Sequence, residues 1–285
     1  MYRWLYSSRV AICAVALMAS ADINAGKAAE PEIPQLWDVK ERLQKPDLSQ
    51  LQRLRFLTTT DFAPFNFLDA NGRLSGFHVD LARAICNELG IADRCQIQAM
   101  PWTELAPAMR KGDGEAIVAG VAVTADNRQL YAFSRPYLIF PARFVTTNAR
   151  ALAEPLYARI KGLKVGVITG SAHDRMLRAA FGDVQPMPFA TQDEMTAALK
   201  TSKIDAAFGD GMRLGFWLAS ADAANCCRFS GGPYIAPEFL GAGLAIASPR
   251  DRPELAAAFD YALQAISAKG TFGELYLRYF PVSFF

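Results

Sequence analysis

The sequence predicts an α/β protein of two lobes. Three observations carry the prediction: strand-like and helix-like segments begin to alternate at Leu54, the alternation restarts at Leu163, and a third return begins at Ala242. Strands alternating with helices specify a parallel sheet, and two such series specify two lobes rather than one long sheet. The 285 residues, 52% hydrophobic and 20% charged, have the composition of a folded chain with one large or two ordinary domains.

The elements follow in chain order. Arg3 and Arg9, the apolar run Val10 to Met18 and the A-x-A site Ala19-Ser20-Ala21 predict a cleaved signal peptide over residues 1–21, and hence export to the periplasm. The apolar run is about half the roughly 20 residues a bilayer span requires. Cys13 follows Ile12 rather than a small residue, which argues against lipid attachment. Residues 22–53 are polar and proline-interrupted, with a short helical pattern around Trp37 to Leu43. They read as an appended arm rather than core, so the folded unit is expected to start at Leu54.

Leu54 to Thr59 is a β-leaning run, followed by the turn-rich Asp61-Phe62-Ala63-Pro64-Phe65 and the hairpin chemistry of Asp69-Ala70-Asn71-Gly72. Val79, Ala82, Ile85, Cys86 and Leu89 recur at helical spacing, with Gly90 placed to end the helix. Ile97 to Met100 reads as a strand, Thr103 to Arg110 as a helix and Ala116 to Val123 as a buried strand. In the second series Leu163 to Thr169 and Ile204 to Phe208 are strands, and Ser171 to Phe181 and Gln192 to Lys200 are helices. Ala242 to Ala247, then helices over Pro253 to Ala268 and Thr271 to Tyr279, return to the first lobe. Hinges are expected near Val145 to Asn148 and near Gly241 to Gly243. This makes residues 54–146 plus 244–285 the first lobe and 147–243 the second.

Without Arg3 and Arg9, 28 basic residues face 28 acidic ones. A neutral chain lacks the basic footprint of a nucleic-acid binder. Only His78 and His173 are present, no C-x-x-C occurs, and neither histidine sits in an H-E-x-x-H context, so no metal is expected. There is no G-x-S-x-G and no phosphate-cradling glycine loop; Gly112-Asp113-Gly114 is a turn before a strand. Hydrolase chemistry is unsupported and no cofactor is expected. In an oxidising compartment Cys86 and Cys95, bracketing a helix end and the connection after it, are disulfide candidates. For Cys226 and Cys227 a vicinal disulfide, separate thiols and an intermolecular bridge all stay open.

Asp61-Phe62-Ala63-Pro64-Phe65, Gly76-Phe77-His78-Val79-Asp80-Leu81-Ala82, Phe133-Ser134-Arg135-Pro136-Tyr137, Asp205-Ala206 with Asp210, and Gly270-Thr271 stand in an order and spacing that resemble family 3 of the bacterial extracellular solute-binding proteins, the polar amino-acid-binding branch. The resemblance spans residues 54 to 281. It implies a type II periplasmic-binding-protein-like fold, two hinge-linked lobes with a central ligand cleft. It further implies a non-enzymatic, monomeric capture component that delivers a small amino-acid-like or zwitterionic ligand to the membrane permease of an ABC importer.

The ligand set that the resemblance implies is Phe62, Trp102, Ala119, Gly120, Ala122, Asn127, Arg128, Gly170, Ser171, Ala172 and Asp210. Phe62 would supply an aromatic wall, with Phe65 in the core, and Trp102 would line the cleft. Gly170-Ser171 precedes a helix whose free backbone N–H groups suit a carboxylate, while Ser171 and Asp174 suit a capping box. Asp210 would take an ammonium group, or else pair with Arg213. Asp80, Glu115 and Asp205 read as structural carboxylates. The departures matter as much as the matches. Asn127 stands where the family places its carboxylate-gripping arginine, Arg128 is one residue late, and Ala122 and Ala172 replace hydroxyl residues. Competing functions on the same fold are an accessory or sensory protein of a dehydrogenase system and a cyclohexadienyl-dehydratase-like enzyme, for which Glu238 and His173 would be the acid–base candidates.

Overall fold

The computed structural model describes Met1 and residues 36–38, 40–280 and 283–285; the expected signal peptide and the first part of the arm lie outside them. β1 (Leu54–Thr58) is buried along its whole length, as befits a strand covered on both faces. A small antiparallel sheet follows, made of β2 (Asp61–Phe62), β3 (Asn66–Leu68) and β4 (Leu74–Ser75). α1 (Phe77–Leu89) buries Phe77, Leu81, Ala82 and Ile85, and Gly90 ends it in the left-handed conformation. β5 (Cys95–Ala99), α2 (Trp102–Arg110), β6 (Ala116–Ile117), α3 (Asn127–Leu130) and β7 (Tyr131–Phe133) come next.

The second sheet is built from β8 (Ala142–Thr147), β9 (Lys164–Ile168), β10 (Gln185–Phe189), β11 (Ala206–Asp210) and β12 (Cys227–Tyr234). Between them lie α4 (Leu156–Arg159), α5 (Ala172–Ala180), α6 (Gln192–Lys200) and α7 (Gly211–Leu218). After α8 (Pro237–Leu240) the chain returns through β13 (Ala247–Pro249) and closes with α9 (Pro253–Ala268) and α10 (Thr271–Tyr279). The first sheet has the order β5-β1-β6-β13-β7 and the second β10-β9-β11-β8-β12. β5, β1 and β6 run parallel, as do β10, β9 and β11. Their carboxyl ends therefore collect the loops that follow them at one edge of each sheet, where α/β proteins place ligands.

Several sequence expectations need correction. The strand expected over Ala116 to Val123 keeps its ladder only at Ala116–Ile117, although Val118, Ala119 and Val121 stay buried. The hinge expected near Val145 to Asn148 falls on β8, which is paired on both sides, with β11 and β12, and Asn148 N bonds Cys226 O. The chain instead crosses between sheets at residues 138–141 and returns at 235–246, and these connectors are bonded to each other. Leu244 N donates to Leu138 O (2.7 Å) and Tyr137 N to Leu244 O (2.8 Å). Gly243, at φ +95°, is required there, since a Cβ would run into the Leu138 carbonyl. The expected glycine-rich crossing at Gly241 to Gly243 thus sits on one connector. The carboxyl-terminal residues reach across as well: buried Phe284 joins the first-sheet core, and its carbonyl accepts from Arg143 of β8 (3.3 Å).

The arm is not an appendage. Among the described residues it forms no helix near Trp37, yet Trp37, Leu48 and Leu51 are buried in the same core cluster as β1, α1 and α9. Gln264 of α9 accepts from Leu43 N (3.2 Å) and donates to Glu41 O (2.9 Å). Arg135 grips Glu41 through both carboxylate oxygens (2.5 and 2.7 Å) and lies 5.4 Å above the Trp37 ring. That pairing holds the Glu41 carboxyl below its ordinary range. Arg94 donates to Leu51 O at 2.7 Å.

A buried polar chain ties the motif segments together. Asn66 donates to Thr59 Oγ1 (2.7 Å) and its Oδ1 meets His78 Nδ1 (2.8 Å), while His78 Nε2 meets the Tyr137 hydroxyl (2.7 Å). With Nδ1–H donating to Asn66, Nε2 accepts from Tyr137 and the ring is neutral. Burial drives the His78 pKa down to about 3 and raises that of Tyr137. The start of α1 reaches this chain because Gly76, at φ +128°, lets Phe77 N and His78 N bond Pro64 O and Phe65 O. A Cβ on Gly76 would collide with the Phe65 carbonyl. Gly76→Ala is therefore expected to cost roughly 2–3 kcal/mol in urea unfolding; a loss under about 0.5 kcal/mol would contradict the fit.

Candidate ligand cleft

The site is built from loops at the carboxyl edges of the two sheets. On the first, Phe62 ends β2, stacks on fully buried Phe65 (4.6 Å between centroids) and stays partly exposed. Gly120, at φ +83°, passes beside it; a Cβ there would lie 3.3 Å from the Phe62 ring. Trp102, the first residue of α2, is 51% exposed, an unusual cost for an indole without a partner. Ala119 is buried and Ala122 exposed. Asn127, in the place of the expected arginine, donates its amide to Ala122 O (2.8 Å) and takes Thr124 Oγ1 on its backbone N (3.2 Å). It braces its own loop. Arg128 is exposed, and its guanidinium has no partner among the described residues.

On the second sheet the capping box at α5 is present: Asp174 N donates to Ser171 Oγ (3.1 Å) and Gly170 N to Asp174 Oδ2 (3.1 Å). Ser171 N is bonded to Ile168 O (3.2 Å). The N–H groups of Gly170 and Ser171 are thus used internally, and the open donors are one step on, at Ala172 and His173. Asp210 caps α7 by accepting from Arg213 N (2.9 Å) on Oδ1, leaving Oδ2 uncommitted. The alternative pairing with the Arg213 guanidinium is absent from the ion pairs of the described residues.

His173 is the residue that sequence reasoning placed only as an acid–base candidate. Burial lowers its pKa, with the Asp210 charge pulling it up and that of Arg213 pushing it down. A histidine one position beyond Gly-Ser-Ala, and an arginine three beyond an aspartate cap, were legible only once α5 and α7 were known to start at the same edge. Glu238 lies on α8, which packs against α5, but no hydrogen bond joins it to His173 among the described residues. Glu115 pairs with Arg55 (2.7 Å), Asp80 with Arg278 (3.0 Å), and Asp205 accepts from Lys164 N (2.8 Å); all three serve the scaffold, as expected.

Cys86 and Cys95 form a disulfide from α1 to β5, with Cα atoms 6.2 Å apart, and Cys226 and Cys227 form a vicinal one at the start of β12. Among the described residues no group of histidine, cysteine, aspartate and glutamate is arranged to hold a metal, and no helix is long and apolar enough to cross a membrane.

The sequence model of the bacterial extracellular solute-binding proteins, family 3, matches residues 54–282. The chain belongs to that family. Within it, the chain is 28% identical over 240 residues to the L-arginine-binding protein of Pseudomonas aeruginosa, covering 84% of this chain and 92% of the relative. It is 26% identical over 231 residues to the lysine/arginine/ornithine-binding periplasmic protein of Escherichia coli K12, covering 80% and 88%. In fold it resembles the L-cystine solute receptor of Neisseria gonorrhoeae in its unliganded open conformation (21% identity, TM-score 0.68, 81% and 94% covered). It also resembles an ancestral cyclohexadienyl dehydratase (18% identity, TM-score 0.65, 84% and 98% covered). These likenesses establish the two-lobe type II periplasmic-binding fold with its central cleft. The family match begins at Leu54, so the strapped-down arm lies outside it.

Proposed function

We propose that this family 3 protein is the periplasmic capture component of an ABC importer, closing its two lobes on a small amino-acid-like ligand and presenting it to the membrane permease. The observation that carries this reading is the pairing of unlike walls. The first sheet's edge offers partly exposed aromatic rings, Phe62 and Trp102, and the second offers an uncommitted Asp210 oxygen beside the open N–H groups of Ala172 and His173. An ammonium group would complete Asp210 with a charge-assisted bond, a carboxylate would take the open donors, and the rings would exclude water from both. The paired connectors at 138–141 and 235–246 are the natural hinge, which divides the chain into 36–140 with 244–285 and 142–243, working as a monomer.

Binding rather than turnover is the activity this reading assigns, supported by the relatives named as arginine- and lysine/arginine/ornithine-binding proteins. A thermal-shift screen of residues 22–285 against amino acids, opines, polyamines, betaines, small organic acids and prephenate tests this. A hundredfold excess over Kd stabilises the folded state by about 2.7 kcal/mol, so an amino-acid-like ligand should give a clear, saturable rise in Tm without consumption. No rise across the panel, or loss of prephenate, would count against the capture role.

A further inference from the structure

We infer that Arg213 holds the carboxylate of the ligand, so that the second lobe binds both charged ends of a zwitterionic amino or imino acid and the first lobe contributes chiefly its aromatic wall. This deepens the capture role proposed above and rests on it.

The Asn127 amide is tied to Ala122 O through one of its N–H groups, it carries no charge, and Ala119, Gly120 and Ala122 carry no side-chain donor. A carboxylate needs charge-assisted donors to leave water. At the second sheet's carboxyl edge, α5, α6 and α7 all begin directly after β9, β10 and β11. Each turns the positive end of its dipole to that edge. Three arginines lie in the first two turns of α5 and α7. Arg178 is paired with Asp174 (2.7 Å) and Arg175 donates to Gly170 O (3.3 Å). The guanidinium of Arg213 is exposed and has no partner among the described residues, while its backbone is fixed at both ends. Its N donates to Asp210, and its O accepts from Gln192 of α6 (3.5 Å). The helix turn is anchored and the side chain is left open.

Arg213 also stands beside the other ligand groups, since its N bonds the Asp210 carboxylate (2.9 Å) and its charge and that of Asp210 both act on His173 at the start of α5. A carboxylate on Arg213, with the open N–H groups of Ala172 and His173 within the same cluster, would leave the α-ammonium for the free oxygen of Asp210. Arg128, the other unpaired candidate, lies on the short α3 of the first lobe, and its acidic neighbour in the chain is the exposed Asp126 that precedes that helix.

The experiment measures Kd by calorimetry for L-arginine, L-lysine, L-histidine, L-glutamine and L-cystine on the full exported chain, and on Arg213→Gln and Arg128→Gln. Agmatine, cadaverine and histamine serve as probes without a carboxylate. Arg213→Gln should weaken whichever amino acid binds by roughly 10- to 100-fold, the range for one hydrogen bond to a charged group. It should leave the amine probes and the unliganded Tm unchanged, and Arg128→Gln should change affinity less than threefold. An unaffected Arg213→Gln, or a loss confined to Arg128→Gln, would overturn the assignment while leaving the capture role intact. No binding of any amino acid to the unsubstituted chain would overturn the capture role itself, and the assignment with it.

Discussion

Leu51→Ala is expected to destabilise the whole fold by about 2–4 kcal/mol, the range for truncating a buried leucine, although it lies in a segment outside the family match. Leu51 is 6% exposed and shares a core cluster with Leu54, Ile85 and Phe259, so a cavity there is felt by β1, α1 and α9 together. Trp37→Ala should act in the same direction, because it also removes the surface over which the Arg135 guanidinium lies. The measurement is equilibrium urea unfolding followed by tryptophan fluorescence and circular dichroism. One cooperative transition moved to lower urea in both signals is the expected result. A loss below about 0.5 kcal/mol for Leu51→Ala, the range of an ordinary surface substitution, would return the segment to the status of a tether.

Acidification should be nearly as costly. The folded protein holds His78 neutral, with a pKa near 3 against an ordinary 6.5. Between those values the unfolded chain binds a proton that the folded chain refuses, so stability is complete above about pH 6.5 and declines as the pH falls. From pH 7 to pH 5 the loss is about 2 kcal/mol, at about 1.4 kcal/mol for each unit below the unfolded value. Ordinary carboxylates remain ionised over that window and contribute little. His78→Gln should be less stable at pH 7, because the links to Asn66 and Tyr137 are disturbed, yet its stability should change much less between pH 7 and 5. What remains would be the share of His173, whose pKa burial also lowers. Parallel pH profiles for the two proteins would mean that His78 is not the group that titrates.

The parts legible in the sequence were those whose signal is local. α6, α9 and α10 carry clear periodicity and lie over Gln192–Lys200, Pro253–Ala268 and Thr271–Tyr279 as expected. β10 is not legible in the sequence because Pro186 and Pro188 argue against a strand; it survives at the sheet edge, where a missing N–H costs no ladder bond. β12 was hidden by Gly231-Gly232-Pro233, which marks an irregularity in its pairing with β8. The arm misled for a different reason. Its polar composition is real, and among the described residues Trp37, Leu48 and Leu51 are buried with Leu36 and Leu43 packed beside them, so no average over the segment could show that these scattered side chains meet core positions. At the site, Asp210 and Ser171 were recognisable by position, whereas the roles of His173 and Arg213 depend on two helices far apart in sequence starting side by side.

The strand order of the first sheet also sets a schedule. β7 pairs only with β13, and β13 separates it from β6, so Tyr131–Phe133 waits unpaired until Ala247–Pro249 has been delivered. Every strand of the second sheet lies in the interval between them. When the chain is delivered amino end first, the second sheet can therefore assemble from contiguous sequence while the first still lacks an interior strand. Non-local pairing of this kind slows folding, and the earlier sheet can be completed only by a strand that follows the later one.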